Sequence, residues 1–319
     1  MAILGVLNKV DNIHNFDPDK HIPNLENKVI LVTGGNSGVG KETVLQLAKH
    51  RPKRLYLAAR SKAKYEEALA DIKVAVPDAT VDFLELDLAS LSSVKQAADK
   101  VLSENDRLDI LINNAGIAGQ PHGLTRDGYE LVFGTNHMGH ALLTKLLLPL
   151  LQKTARSARD ADVRIVILSS SGELMASGIK FDKLKTDMKS FHPLSVYAQS
   201  KLANVLHGRE LARRHPELLS VSVHPGRVQT NISNVVLSTW SLTSCIQTVL
   251  DTLAGTLTVE QGALCQIWAA TWKREDVENG EIYWPVGKGN QGSKLSKDQN
   301  LAKKLWEWQE DEFKKLGYV

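Results

Sequence analysis

Val29-Ile30-Leu31-Val32-Thr33-Gly34-Gly35-Asn36-Ser37-Gly38-Val39-Gly40 carries the strongest structural signal in the chain. A β-branched apolar run passes into a glycine-rich turn, and a helix-like stretch follows over 41–50, so a strand turns into a helix here. Such a junction holds phosphate. Glycines let the backbone approach the anion, and the free N–H groups and positive dipole end of the helix favour its charge. Outward from this point the same rhythm repeats, with apolar strands predicted at 29–33, 55–59, 81–86, 110–113, 163–169 and 219–223 and helical stretches between them. Near-continuous apolar strands alternating with amphipathic helices predict a doubly wound parallel sheet covered on both faces, with ligand at the carboxyl ends of its strands. A short strand over 282–285, bounded by Gly280 and Gly287, is expected at one sheet edge.

Composition agrees with one large domain. The chain has 319 residues, 43% hydrophobic and 24% charged, enough for a single well-packed core. Its net charge of +3 comes from scattered basic residues, which argues against nucleic acid as a partner. Cys245 and Cys265 lack CxxC or Cys/His spacing, so both are read as free thiols in a reducing, cytoplasmic setting. Residues 1–27 form an N-terminal extension whose charges interrupt any apolar run, so neither a signal peptide nor a membrane span is expected. Its weakly apolar start, Ala2 to Leu7, is expected to pack on the domain or fray, with contact to a membrane surface or a partner as the alternative.

Two stretches interrupt the strand-helix rhythm, 172–195 and 227–258, and both follow strands at the edge where substrate loops belong. The second is apolar enough for a lid or a membrane-facing patch, although Asp251 and many hydroxyls argue against a spanning helix. The tail, 291–319, carries an amphipathic helix over 301–319 that is expected to dock on the domain's own surface.

Tyr197-Ala198-Gln199-Ser200-Lys201 supplies candidate chemistry about 160 residues after the glycine turn. On a helix, residues four apart share a face, so the Tyr197 hydroxyl and Lys201 ammonium can meet one reaction centre. A phenol ordinarily titrates near 10, and a neighbouring ammonium is expected to bring it down by roughly 1 to 3 units toward useful acid-base chemistry. At the end of the second strand, Arg60 stands where an acidic residue would hold a ribose 2′-hydroxyl. A guanidinium there favours a 2′-phosphate, hence NADP(H) over NAD(H), with Lys64 a weaker candidate of the same kind.

The ordered set Thr33 to Gly40, Asn113-Asn114-Ala115-Gly116, Ser169-Ser170, Tyr197 to Lys201 and Pro225-Gly226 resembles the motif series of the short-chain dehydrogenase/reductase family, over roughly residues 28–290. With Asn136-His137-Met138-Gly139-His140, it is most similar to the retinol dehydrogenase-like branch and related fungal oxidoreductases. The resemblance implies a single Rossmann-type domain and a catalytic set of Tyr197, Lys201, Ser170 and Asn136, with Ser169 or Ser171 as alternatives to Ser170. In that reading Ser170 hydrogen-bonds the reacting oxygen, and Asn136 binds a water linking Lys201 to solvent. It also implies a cofactor site made by Gly34, Asn36, Ser37, Gly38, Val39, Gly40, Arg60, Asp87, Leu88, Asn114, Ala115, Gly116, Tyr197, Lys201, Pro225, Gly226, Val228 and Thr230. Two departures stand out: Ser170 and Tyr197 are 27 positions apart, about twice the simplest members' spacing, and an N-terminal membrane anchor like that of many animal relatives is not expected.

Other conspicuous residues take plainer readings. His137 and His140 lack a third ligand, so no metal is expected. His192 is read as an exposed loop residue, and Trp268 and Trp272 as core or subunit packing. The expected activity is interconversion of a hydrophobic ketone or aldehyde with its alcohol, in a homo-oligomer. The alternatives are a non-catalytic dinucleotide-binding sensor and, less well matched, an epimerase or dehydratase acting on nucleotide sugars.

Overall fold

The computed structural model describes residues 12–158, 161–228 and 256–318. Seven strands form one sheet in the order β3-β2-β1-β4-β5-β6-β7, and every neighbouring pair is parallel. They are β1 (Val29–Thr33), β2 (Arg54–Ala59), β3 (Asp82–Glu85), β4 (Ile110–Asn113), β5 (Arg164–Leu168), β6 (Leu219–Val223) and β7 (Ile282–Tyr283). The order in which strands are added reverses between β1 and β4, which creates the crevice at the carboxyl edge.

Because side chains alternate along a strand, β1 feeds two cores at once. Val29 and Leu31 join one apolar cluster with helices α3 (Leu91–Glu104), α4 (Gly139–Ala155) and α5 (Pro193–Arg214). Ile30 and Val32 join the other with α1 (Gly38–Ala48), α2 (Lys62–Ala75) and α6 (Val259–Thr271). Two buried faces explain why β1 reads as an unbroken apolar run.

Several boundaries differ from the sequence reading. Helix α1 begins at Gly38, three residues early, because the glycine turn is itself the start of the helix. The stretch 172–195 is not all loop: 3-10 turns occupy Ser171–Met175 and Phe181–Lys183, and α5 starts at Pro193, whose missing N–H costs nothing in the first turn. The tail helix α7 (Gln299–Lys315) buries Leu305, Gln309 and Phe313 against the first core. Trp268 is fully buried and packs on Tyr283 and His14, while Trp272 meets His14 and Phe16, so these rings hold the segment after residue 12 onto α6. Burial pushes the Cys265 thiol up to about 12; Cys245 lies outside the described residues. No described helix is long and apolar enough to cross a membrane.

Candidate active site

The carboxyl ends of β1, β4, β5 and β6 bring the predicted segments together. After β1, Gly34 and Gly38 adopt φ of 66° and 51°, in the left-handed region that favours glycine. Gly40 is fixed by space rather than torsion. A Cβ there would lie 2.3 Å from the Gly34 carbonyl oxygen and 2.4 Å from Asn114 Nδ2, with no flexible neighbour to yield. Ser37 opens α1 without capping it by its side chain, leaving the first N–H groups of the helix to other acceptors.

Asn114 and Ala115 follow β4 and are tied back to β1. Both backbone N–H groups donate to Thr33 Oγ1 at 3.0 Å, and Asn114 Nδ2 donates to the Thr33 carbonyl at 2.7 Å. Asn114 Oδ1 is buried without a hydrogen-bond partner. The helix that carries Asn136 widens into a π-turn at Gly134–Met138. Asn136 is fully buried, and its amide pairs with both polar groups of the Ile117 backbone, accepting from N at 2.8 Å and donating to O at 2.9 Å. It also donates to Ser200 Oγ on α5 at 3.1 Å, and Ser200 in turn donates to the Tyr197 carbonyl.

Helix α5 presents Tyr197 and Lys201 to the same centre. The Lys201 ammonium sits 5.7 Å from the centre of the Tyr197 ring and donates to the Leu168 carbonyl at 3.2 Å. A Cβ on Gly116 would come within 3.4 Å of both Lys201 Nζ and Asn136 Oδ1, so glycine keeps the space between these groups open. Ser170 starts the 3-10 turn after β5, and its Oγ accepts the Gly172 N–H at 3.1 Å. Tyr197 Cε1 and Ser170 Oγ both border the position of a Gly172 Cβ, at 3.3 and 3.4 Å. Ser169 is separated from this group, since its Oγ donates to the Lys201 carbonyl at 2.8 Å and it is buried.

Burial sets the protonation states. It raises the Tyr197 pKa, against which the Ser170 hydrogen bond acts in the opposite direction. It lowers the Lys201 ammonium to about 8. The expectation that Lys201 brings Tyr197 down is therefore not met: a phenolate and an ammonium are both penalised when water is removed, and here that penalty dominates.

The chain also matches known proteins. The sequence profile described as short chain dehydrogenase matches residues 28–180. A short-chain dehydrogenase/reductase of Armillaria gallica is 39% identical over 299 residues, covering 92% of each chain. The chain belongs to the short-chain dehydrogenase/reductase family. Human retinol dehydrogenase 13 is 42% identical over 207 residues, 64% of this chain and 60% of that protein. Among solved structures, an uncharacterised protein from Mycobacterium paratuberculosis has a TM-score of 0.72 at 29% identity, covering 93% of this chain and 96% of that one. Membership makes the chain an oxidoreductase of a family that uses a nicotinamide dinucleotide.

A dinucleotide fits the residues present in this short-chain dehydrogenase/reductase. The backbone cradle at Gly34, Gly38 and Gly40, the uncapped start of α1 and the unpartnered Asn114 Oδ1 are the features an anionic, hydroxyl-rich ligand needs. Arg60 is exposed directly after β2 and makes no ion pair among the described residues. Asp87 accepts the Ala89 N–H at 3.1 Å and faces Arg126 at 3.9 Å, and Leu88 packs against Gly139. Pro225 follows β6, Gly226 takes φ of 82°, and Val228 bridges to Leu257 beside α6. Thr230 lies outside the described residues, as does most of 227–258, including the segment read as a lid or membrane-facing patch.

Three residues near the centre have roles the motif reading did not assign, and of these Asn204 lies outside the quoted motifs altogether. Thr33 gathers the two N–H groups after β4, Ser200 joins Asn136 to α5, and Asn204 shares the Leu168 carbonyl with Lys201, donating to it at 3.0 Å. The one available signal is polarity inside apolar surroundings: Thr33 closes a run of buried aliphatics, and Asn204 lies one turn beyond Lys201. His137 and His140 are buried with polar partners of their own, and no group of three or more His, Cys, Asp or Glu among the described residues suits a metal ion.

Proposed function

We propose that this protein is an NADP(H)-dependent oxidoreductase that interconverts a hydrophobic ketone or aldehyde and its alcohol. The observation that carries the reading is the convergence of Tyr197, Lys201, Ser170 and Asn136, from three separate elements, around the space kept open by Gly116 and Gly172. When bound, the nicotinamide supplies or receives the hydride. In the reductive direction Tyr197, kept protonated by burial, donates its hydroxyl proton to the carbonyl oxygen as that oxygen gains charge. Ser170 Oγ donates a hydrogen bond to the same oxygen and orients it. Lys201 stabilises the phenolate left behind and draws a replacement proton from solvent along the path that Asn136 borders. Oxidation reverses each transfer.

Two observations support the finer assignments. Arg60 is an exposed guanidinium directly after β2 that makes no ion pair among the described residues, which suits a 2′-phosphate. Leu174 and Met175, on the turn that follows Ser170, are 53% and 66% exposed, which suits an apolar substrate. Steady-state turnover with NADPH and NADH tests the cofactor assignment. Arg60→Asp is expected to reverse the preference for NADPH, and an unchanged ratio would show that the phosphate is held elsewhere.

A further inference from the structure

We propose that His140 is a positioning residue of this active site, a neutral imidazole protonated on Nδ1 that fixes the cofactor cradle with one nitrogen and the Asn136 peptide with the other. The inference rests on the oxidoreductase reading of Tyr197 and Asn136. It follows from counting donors and acceptors in a dry place, since Thr33 is fully buried and His140 is 3% exposed. Thr33 Oγ1 lies 3.0 Å from the backbone nitrogens of Asn114 and Ala115. Those groups can only donate, the Asn114 N–H sharing itself between the hydroxyl and the Ile112 carbonyl at 3.0 Å each, so both converge on the lone-pair side of the hydroxyl. Its own proton then has two acceptors in reach, His140 Nε2 at 2.8 Å and the Ile112 carbonyl at 3.5 Å, the limit of a hydrogen bond. It goes to Nε2, which must be unprotonated. On the other side of the ring, Nδ1 is 3.0 Å from the Asn136 carbonyl oxygen, which can only accept, so Nδ1 carries the hydrogen. An imidazolium would place a further N–H against a hydroxyl on which two backbone N–H groups already converge. Burial, which lowers the His140 pKa to about 4, acts in the same sense.

Geometry explains why a residue at this position can do this. On a helix, a side chain leans back over the residue four before it, so His140 covers Asn136, and the π-turn at Gly134–Met138 overlaps that span. The ring thereby joins the end of β1, the turn after β4 and the start of α4. Through Thr33 it holds Asn114 and Ala115 against Gly34, whose Cβ would touch Ala115 at 3.0 Å. Through the Asn136 peptide it sets the reach of the Asn136 amide to Ser200, and so to the α5 turn that carries Tyr197 and Lys201.

Two near-isosteric variants separate the two handles. In His140→Gln the amide oxygen replaces Nε2, keeping the Thr33 bond and losing the Asn136 bond. A kcat about tenfold lower is expected, with the KM for NADPH within about twofold of the parent value. In His140→Asn the amide nitrogen replaces Nδ1, keeping the Asn136 bond and leaving the Thr33 hydroxyl without a close acceptor. Here the KM for NADPH is expected to rise about tenfold while kcat falls less. Parent-like kinetics in both variants, or the two effects exchanged, would overturn the assignment. Nitrogen-15 NMR of the histidine rings in the unmodified chain needs neither a variant nor turnover. The expected signature for His140 is a protonated Nδ1 and a bare Nε2, unchanged from pH 5.5 to 8. A protonated Nε2, or titration within that range, refutes the inference whatever the enzyme's substrate proves to be.

Discussion

Replacing Lys201 by methionine should make the protein more stable at neutral pH while removing its activity. The side chain is 4% exposed, and burial alone lowers its ammonium from the ordinary 10.5 to about 8. Such a drop corresponds to roughly 3 kcal/mol of stability forfeited when the folded protein holds the charge. The sign follows from proton counts. Between pH 8 and 10.5 the unfolded chain binds a proton at this site that the folded chain does not, so the cost is fully present below 8 and vanishes as pH rises through 10.5. Methionine has similar length and no charge, and the Leu168 carbonyl that Lys201 leaves still accepts from Asn204 at 3.0 Å, so no buried acceptor is orphaned. The gain should therefore approach the full value, about 3 to 5 °C in Tm for a chain of this size. Thermal unfolding of parent and Lys201→Met, without cofactor, at pH 7 and again above pH 10.5 is the assay. The reasoning is refuted by a variant that melts lower at pH 7, or by a difference that does not shrink with rising pH.

Other consequences are as direct. Over pH 5 to 9, burial keeps His140 and His224 neutral, lowering them to about 4 and about 3, so Lys201 is the group near Tyr197 that changes charge. Reductive kcat is therefore expected to be level below pH 8 and to decline above it, and a profile that climbs through pH 8 would contradict this. Gly40→Ala is expected to weaken NADPH binding at least a hundredfold in a fluorescence titration, because its Cβ would meet backbone at 2.3 Å in the cradle, and binding within threefold of the parent would show that the turn yields.

The sheet was legible in the sequence because parallel strands covered on both faces are near-continuously apolar, as at Val29 to Val32. The glycine turn was legible for a similar reason, since the torsions at Gly34 and Gly38 favour glycine and the backbone approach at Gly40 requires it. Helix spacing likewise put Tyr197 and Lys201 on one face. Their protonation was not legible, because spacing reports proximity and not the loss of water, and here the loss of water governs. Pro193 read as a loop residue because proline breaks helix interiors, yet it opens α5. The Thr33 to His140 bond joins residues 107 positions apart, and no local period marks it. The plain reading of His140 arose from asking only whether it could bind metal.

In the proposed reaction Tyr197 passes a proton to a carbonyl while NADPH is consumed. Its most direct test is NADPH oxidation at 340 nm across hydrophobic ketones, aldehydes and quinones, with Tyr197→Phe alongside and the affinity of both proteins for NADPH measured separately. Turnover by the parent protein is expected, and Tyr197→Phe is expected to lose it by about a thousandfold or more while still binding NADPH nearly as tightly. Tight NADPH binding with no turnover on any of these carbonyls, or on alcohols with NADP+, would contradict it and favour a dinucleotide sensor.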